Sequence, residues 1–240
     1  AFFCCDPSEL VLTSGATESI NLGIKGVCQK YINKGKHFIT CETEHKAVLD
    51  SFNSLEKTGA EVDYLKVDQN GLIDLIDLQS KLRPDTVMVS IMLANNETGV
   101  IQRMESIAKL VHANNSILMS DITQAVGKMD VNLDELGIDL AAFSAHKFYG
   151  PKGVGGLYVR RKNPRVAIQE QINGGGHQRG RRSGTINVPA VVGMAAALDY
   201  VNDTSLEDVK EIKISFERTL KELVDVKVIA ENGDRLVNTS

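Results

Sequence analysis

Strand-like segments that are apolar on both faces alternate along this chain with segments of amphipathic helical pattern. The most strand-like run, TVMVSIMLAN at 86–95, is β-branched and apolar on both faces. The segment 20–31 instead places Ile20, Ile24 and Val27 on one helical face. Strands buried on both faces indicate a mainly parallel sheet that helices cover on both sides. The chain is therefore predicted to be an α/β protein whose ligands gather at the carboxyl ends of the strands.

The same patterns give the predicted elements. Strands are predicted at 10–15, 37–41, 62–67, 86–95, 116–121, 140–147 and 154–159. Helices are predicted at 20–31, 46–57, 75–82, around 107–111, after Gly193 and at 206–223. The last helix keeps one apolar face at steps of three and four residues. We expect a large domain over residues 1–204 and the beginning of a small domain over 205–240.

The composition is that of a globular protein and gives no sign of a nucleic-acid or membrane partner. Of the 240 residues, 42% are hydrophobic and 24% are charged, and the net charge is −4. No apolar run is long enough to span a bilayer. The four cysteines, Cys4, Cys5, Cys28 and Cys41, have neither metal-site spacing nor the pattern of a disulfide framework. We expect a cytoplasmic protein with reduced thiols and no bound metal.

Lys147 lies where a predicted strand runs into a Gly/Pro-rich turn, in the segment SAHKFYGPKG. Lysine is among the residues that are least often buried, and a lysine exposed on a loop is the ordinary alternative. A lysine held at the edge of a sheet can, however, form a Schiff base with a carbonyl compound. With pyridoxal phosphate such a bond creates an electron sink, and the protein must then hold the ring nitrogen, the phosphate and the ring faces.

Two other strand ends supply groups for the first two tasks. Asp121 ends the strand at 116–121, and a carboxylate there would keep a pyridine nitrogen protonated because opposite charges stabilise each other. An aspartate in a turn or a helix cap is the alternative. The turn SGAT at 14–17 precedes a helix, so its free N–H groups and the Thr17 hydroxyl suit a phosphate. Many α/β folds have such a turn, and no dinucleotide or P-loop fingerprint accompanies it.

Further polar residues suit the ring itself. His45, in ETEHKAV, could stack on one ring face and act as an acid or base, or it could be a histidine at a helix start. Asn96 and Gln124 are of the polar types that hydrogen-bond a ring hydroxyl. The Gly- and Arg-rich segment 173–188 is either a mobile basic loop or a structured loop near an anion, with Thr185 as the candidate ligand.

Six motifs, taken in order, resemble those of a known family. They are SGATES, ETEHKAVLD, NNETG, D-x-x-QAVGK, FSAHKFYGPKG and GGGHQRGRRSGT. Together they resemble the class V aminotransferase group of fold type I pyridoxal-phosphate enzymes, and within it the cysteine desulfurases of the Isc/Nif iron–sulfur branch. The resemblance runs over nearly the whole chain from about Leu10 onward. It implies a mainly parallel, seven-stranded-type sheet between helices, followed by the start of a small α+β domain.

The resemblance also implies roles for the residues around the ring. Lys147 would carry the Schiff base, Asp121 would pair with the pyridine nitrogen, and Gln124 would contact the phenolic oxygen. His45 would stack on the ring, and Asn96 would lie near the ring and the substrate. On this basis the catalytic residues are Lys147, His45 and Asp121.

The phosphate and the substrate bring in the rest of the implied site. The phosphate would be held by Ala16, Thr17, Ser144 and His146, with Thr185 reaching it from the second subunit of a homodimer. The substrate would be L-cysteine, giving L-alanine and an enzyme persulfide whose sulfur passes to a scaffold or carrier protein. The persulfide cysteine and the substrate-carboxylate arginine of the family lie beyond this sequence, so the chain is expected to be a fragment that is inactive alone.

Two other readings of the same residues stay open. The cofactor residues would equally serve a selenocysteine lyase, a cysteine sulfinate desulfinase or another class V aminotransferase-like enzyme. This stretch could also be a cofactor-binding or interaction module without turnover. Comparing turnover of cysteine, selenocysteine and cysteine sulfinate would distinguish these enzymes from one another. Cofactor binding without turnover of any of them would indicate the module.

Overall fold

The structure, a computed structural model, describes residues 2–231 and 233–240 apart from the side chain of Asn202, and in these residues seven strands alternate with helices. The strands are β1 (Leu10–Thr13), β2 (His37–Cys41), β3 (Glu61–Leu65), β4 (Thr86–Ser90), β5 (Ile117–Asp121), β6 (Leu140–Ser144) and β7 (Gly155–Val159). The helices are α1 (Ala16–Lys30), α2 (Lys46–Glu56), α3 (Leu75–Lys81), α4 (Met104–Ala113), α5 (His177–Gly180), α6 (Val188–Asn202) and α7 (Glu207–Leu223). Short 3-10 turns lie at Pro7–Glu9 and Ala145–Phe148.

The strands form one sheet in the order β1-β7-β6-β5-β4-β2-β3. Strands β3, β2, β4, β5 and β6 pair in parallel with one another. Strand β7 is antiparallel to both of its neighbours, β1 and β6, so β1 runs in the same direction as the parallel strands. The predicted mainly parallel α/β sheet is confirmed, and the carboxyl ends of all strands except β7 meet at one edge.

Four strands end earlier than predicted: β1 and β3 end two residues early, at Thr13 and Leu65, and β4 and β6 end further from their predicted ends. Strand β4 ends at Ser90, although Ile91 and Leu93 still donate backbone hydrogen bonds to β5 carbonyl groups at 3.0 Å. The strand predicted at 140–147 ends at Ser144, because the next four residues turn back in the 3-10 helix. In both places the chain leaves the sheet at its carboxyl edge, and the residues just past the strand ends are free to line a ligand site.

Two hydrophobic clusters fill the space on the two faces of the sheet. On one face Ile24 of α1 and Phe52 of α2 belong to the same cluster as Phe38 of β2. On the other face Ile107 of α4 belongs to a cluster with Phe143 of β6. Every residue of β2, β4, β5, β6 and β7 is buried. This burial is what the apolar character of both strand faces predicted.

Helices α6 and α7 follow the sheet. Helix α6 begins at Val188, earlier than predicted, because the Asn187 side chain accepts a hydrogen bond from the Ala190 N–H at 3.2 Å and caps the helix. Helix α7 matches its predicted range and leaves Ile212 and Phe216 more than half exposed. Within the described residues, no helix has both the length and the apolar character that a membrane span requires.

Candidate active site

Polar side chains from the carboxyl edge of the sheet line one cavity of about 510 Å³. The cavity draws on the segments that follow β1, β2, β4, β5 and β6, so five strand ends together position its side chains. Nine of the ten residues predicted to bind a cofactor line it: Ala16, Thr17, His45, Asn96, Asp121, Gln124, Ser144, His146 and Lys147. The arrangement is the one expected for a ligand site in a mainly parallel sheet.

The amino terminus of α1 forms one end of the cavity. Gly15 precedes the helix with a φ of +149°, and no side chain caps the helix there. A Cβ atom on Gly15 would lie 3.1 Å from Oγ of Ser144, so glycine keeps the space between the helix and the end of β6 open. Oγ of Ser144 in turn lies 3.0 Å from Nδ1 of His146. Free helix N–H groups beside hydroxyl and imidazole donors form an anion-binding cradle.

Asp121 presents a buried carboxyl group at the end of β5. Its Oδ1 accepts a hydrogen bond from the Thr123 N–H at 2.9 Å. Burial raises the pKa of Asp121, while the hydrogen bond from Thr123 and the charges of His45 and Lys147 act in the opposite direction. A carboxyl group in this position is poised to pair with a cationic group of a bound ligand.

Lys147 lies in the 3-10 turn after β6 and is exposed to the cavity. The turn is closed by a hydrogen bond from the Gly150 N–H to the Ala145 carbonyl at 2.9 Å and by Tyr149, whose φ is +67°. Gly150 permits this close return, because a Cβ atom there would lie 2.9 Å from the Cβ of Ala145. The backbone therefore fixes where the amine starts while the side chain stays accessible.

His45 serves as a helix cap and also lines the cavity. Its Nδ1 accepts a hydrogen bond from the Ala47 N–H at 3.1 Å, at the start of α2. A neutral imidazole that accepts at Nδ1 carries its proton on Nε2. The alternative of a histidine at a helix start is confirmed, and the cap holds the ring beside the cavity. Stacking on a cofactor ring stays a prediction.

Thr185 lies outside this cavity and lines a smaller neighbouring one of about 80 Å³, together with Ser14 and Arg182. The Gly- and Arg-rich segment is tied to the fold on both sides. Arg182 pairs with Glu18 through two contacts of 2.8 and 3.3 Å. The Gln178 side chain accepts from the backbone N–H of Leu12 and donates to its carbonyl, at 2.6 and 2.8 Å. The segment is thus held against β1 and α1, with Thr185 exposed beside the start of α1.

The family of the chain follows from comparison with known proteins. A model of the family described as aminotransferase class-V matches residues 1–235. This chain belongs to the class-V aminotransferase family. Over 228 residues it is 51% identical to the cysteine desulfurase IscS of Haemophilus influenzae, and the match covers 95% of this chain and 56% of that protein. This class-V chain therefore spans just over half the length of the curated relatives that it matches.

Solved structures agree with that assignment. The class-V chain superposes on a NifS-like protein with a TM-score of 0.92 and 38% identity, over 98% of this chain and 65% of that one. It superposes on SspA, solved in complex with cysteine, with a TM-score of 0.86 and 34% identity, over 97% of this chain and 66% of that one. Both matches extend over the sheet and the cavity at its edge.

The class-V family uses pyridoxal 5′-phosphate, and the groups in the cavity fit that cofactor. The open cradle between Gly15 and Ser144 suits the phosphate, because a side chain at position 15 would fill it. The buried Asp121 carboxyl suits the ring nitrogen, and the accessible Lys147 amine suits the aldehyde. These three groups come from three different strand ends and open onto one cavity of adequate size.

Among the residues at the class-V site that were not predicted as site residues are Met92, Thr123, Lys152 and Glu44. The first three line the cavity. Glu44 lies behind it, fully buried, with Oε1 accepting from the Met92 N–H at 2.5 Å and with no hydrogen-bond partner for Oε2 among the described residues. Burial and the nearby Asp121 raise the pKa of Glu44 well above its ordinary 4.5. In sequence, only its place between a strand end and His45 marks it.

We expect Glu44→Gln to stabilise the cofactor-free protein at neutral and alkaline pH. When folding raises the pKa of a carboxyl group, the folded protein becomes less stable as the pH rises from the unfolded-state pKa to the folded-state pKa. Glutamine has no proton to lose in this range, so the variant avoids that loss of stability. The gain should be small below about pH 3.5, where Glu44 is protonated in both states, and grow by up to about 1.4 kcal/mol per pH unit between the two pKa values. Urea unfolding at several pH values measures it, with the exposed Glu42→Gln as control. If the free energy of unfolding depends on pH in the same way in Glu44→Gln and wild type, the prediction is contradicted.

Proposed function

We propose that the protein carrying this chain is a pyridoxal-phosphate-dependent cysteine desulfurase, which converts L-cysteine to L-alanine and leaves the sulfur as an enzyme persulfide for an acceptor protein in iron–sulfur or thiolation pathways. The observation that carries the proposal is the convergence of the Lys147 amine, the Asp121 carboxyl and the open α1 terminus on one cavity. The 51% identity to an IscS desulfurase and the likeness to a structure solved with cysteine support the substrate.

Each group in the cavity has a defined task. When bound, the cofactor withdraws electrons from the bonds at Cα of the amino acid. The Lys147 amine would hold the aldehyde and, when not bonded to it, would accept and return a proton. The Asp121 carboxylate keeps the ring nitrogen protonated by charge pairing. His45 covers a ring face, and Asn96 provides a polar group toward ring and substrate.

The phosphate is assigned to the cradle at the start of α1. The helix N–H groups, the Thr17 hydroxyl, Oγ of Ser144 and the His146 ring converge there. Because a helix terminus carries partial positive charge, the cradle would compensate part of the phosphate charge. A cradle of this kind would anchor the cofactor by its phosphate, while Lys147 and Asp121 remain available to its ring.

The thiol that takes the sulfur is assigned to a part of the protein outside this stretch. None of Cys4, Cys5, Cys28 and Cys41 lines the cavity. Burial raises the pKa of the Cys41 thiol, and Cys28 is partly buried on α1, so neither is an exposed nucleophile. Residues 1–240 alone are therefore expected to take up the cofactor but to release little alanine.

The proposal includes a cytoplasmic homodimer, a large domain over residues 1–204 and a second unit beginning at 205. Thr185 is exposed outside the cavity, where a second subunit could meet it. Helix α6 exposes Val188, Val192 and Tyr200 at 61%, 63% and 66%, an apolar surface suited to such contact. Analytical ultracentrifugation of the full-length protein tests the dimer, and a purely monomeric species would contradict it.

The full-length protein, loaded with pyridoxal 5′-phosphate and given L-cysteine, is expected to release alanine and sulfide in equal amounts when a reductant is present. Parallel assays with L-selenocysteine and cysteine sulfinate measure substrate preference. A higher kcat/KM for either of these would reassign the protein to the corresponding lyase or desulfinase. Cofactor binding without alanine release from any of the three would contradict desulfurase activity and indicate a binding module.

A further inference from the structure

Lys128 holds the side-chain amide of Gln124 from behind the cavity. Its Nζ donates a hydrogen bond to Oε1 of Gln124 at 2.5 Å. Gln124 lines the cavity, whereas Lys128 does not. Lys128 is only partly exposed, and both burial and the charge of Lys147 lower its pKa. Placing an ammonium group beside another cation and partly out of water costs free energy. The position of Lys128 against Gln124 therefore needs a physical reason.

The local backbone explains why the two side chains meet. Residues 122–129 form successive turns after β5, in which the Lys128 N–H donates to the Ala125 carbonyl at 3.0 Å. Gly127 adopts a φ of +74°, and a Cβ atom there would lie 3.1 Å from the Cβ of Phe148, next to Lys147. The turns are thus packed against the Lys147 turn, and this contact fixes where Lys128 and Gln124 begin.

The chemistry of the contact fixes the orientation of the amide. A glutamine amide has an accepting oxygen at one end and a donating nitrogen at the other, and the two ends are nearly equal in shape. An ammonium group has donors only, so the end that it contacts must be the oxygen. The Nε2 donor of Gln124 is then left for the cavity. Without Lys128 the amide could turn over and present its oxygen instead.

We propose that Lys128 is a positioning residue, which holds the Gln124 oxygen so that the amide nitrogen donates to an oxygen of the bound cofactor ring. The inference rests on the proposed function, because it takes the cofactor as the occupant of the cavity. A donor at this point stabilises the ionised form of a ring hydroxyl, whereas an amide carbonyl would repel it. Lys128 thereby tunes the ring without touching it.

The test is a pH titration of the absorbance of the cofactor bound to the full-length protein, in wild type, Lys128→Met, Gln124→Leu and the double variant. Loss of a donor to an ionised oxygen should raise the titration midpoint by about one pH unit in Lys128→Met. Gln124→Leu should raise it as well, and adding Lys128→Met to Gln124→Leu should change nothing further. Lys128→Arg, which also has donors only, should keep the wild-type midpoint.

The outcomes separate this inference from the proposed function. If Lys128→Met raises the titration midpoint also in the Gln124→Leu background, the charge of Lys128 acts directly on the cofactor. That result would overturn the positioning role and leave the proposed function intact. An unchanged midpoint in Lys128→Met would overturn it in the same way. A wild-type protein that takes up no cofactor would overturn the proposed function and, with it, the ligand on which this inference rests.

Discussion

Replacement of Lys147 by alanine is expected to abolish covalent retention of pyridoxal phosphate and to reduce the proposed desulfurase activity of the full-length protein by about 10³-fold or more, because the proposal assigns to this one amine both the bond to the aldehyde and the transfer of the proton. The side chain is exposed to the cavity and makes no core contact that folding needs. The unfolding midpoint of the cofactor-free variant should therefore stay close to that of wild type.

Borohydride reduction followed by mass spectrometry measures covalent retention directly. Wild-type protein should carry one cofactor on the peptide that contains Lys147, and the alanine variant should carry none. Lys46→Ala is the matched control, because Lys46 is an exposed lysine at the start of α2 that does not line the cavity. Labelling of Lys46 in place of Lys147, or an alanine variant with normal retention, would contradict the assignment of the amine.

The strand pattern allowed most of the fold to be predicted, because burial on both faces leaves a local signature in each strand. The apolar run HFITC coincides with β2 from His37 to Cys41. Where the prediction overran, as at 91–95 and 145–147, the regular strand has ended and the chain contributes residues such as Met92 and Lys147 to the cavity wall. Such ends depend on tertiary packing, which the local pattern does not record. The antiparallel direction of β7 likewise depends on the short 3-10 connection after Ser144.

The site was predictable to the extent that function places polar residues at strand ends. Asp121 and Lys147 follow apolar strands, where a charged side chain needs a reason. Glu44 and Lys128 were not assigned, because their importance lies in partners distant along the chain or behind the cavity wall. The contact of Glu44 with Met92 joins residues on different strand ends, and the proposed effect of Lys128 would pass through the Gln124 amide, whose orientation no sequence shows. Second-layer residues of this kind emerge only from packing.

Asp121→Asn is expected to make the empty protein more stable and the loaded enzyme slower by about 10²–10⁴-fold, a loss typical of a removed acid–base or charge-pairing group. Asparagine has nearly the same shape and can keep the bond from the Thr123 N–H, so the variant isolates the charge. Burial raises the pKa of Asp121 in the empty site. The folded protein therefore becomes less stable as the pH rises through the folded-state pKa of this carboxyl group. Asparagine removes that loss, so the stability gain should grow with pH. The same change removes the anion that is proposed to keep the ring nitrogen protonated.

A cofactor analogue with a permanently charged ring distinguishes this role from a structural one. N-methyl pyridoxal phosphate needs no carboxylate to remain cationic, so it should restore a large part of the activity of Asp121→Asn while helping wild type little. Asp130→Asn, the same change at an exposed carboxyl outside the cavity, should alter neither stability at neutral pH nor the response to the analogue. If Asp121→Asn is equally slow with both cofactors, the carboxylate does not act through the ring charge. If it retains full activity with the natural cofactor, the charge pair at the end of β5 is not part of catalysis.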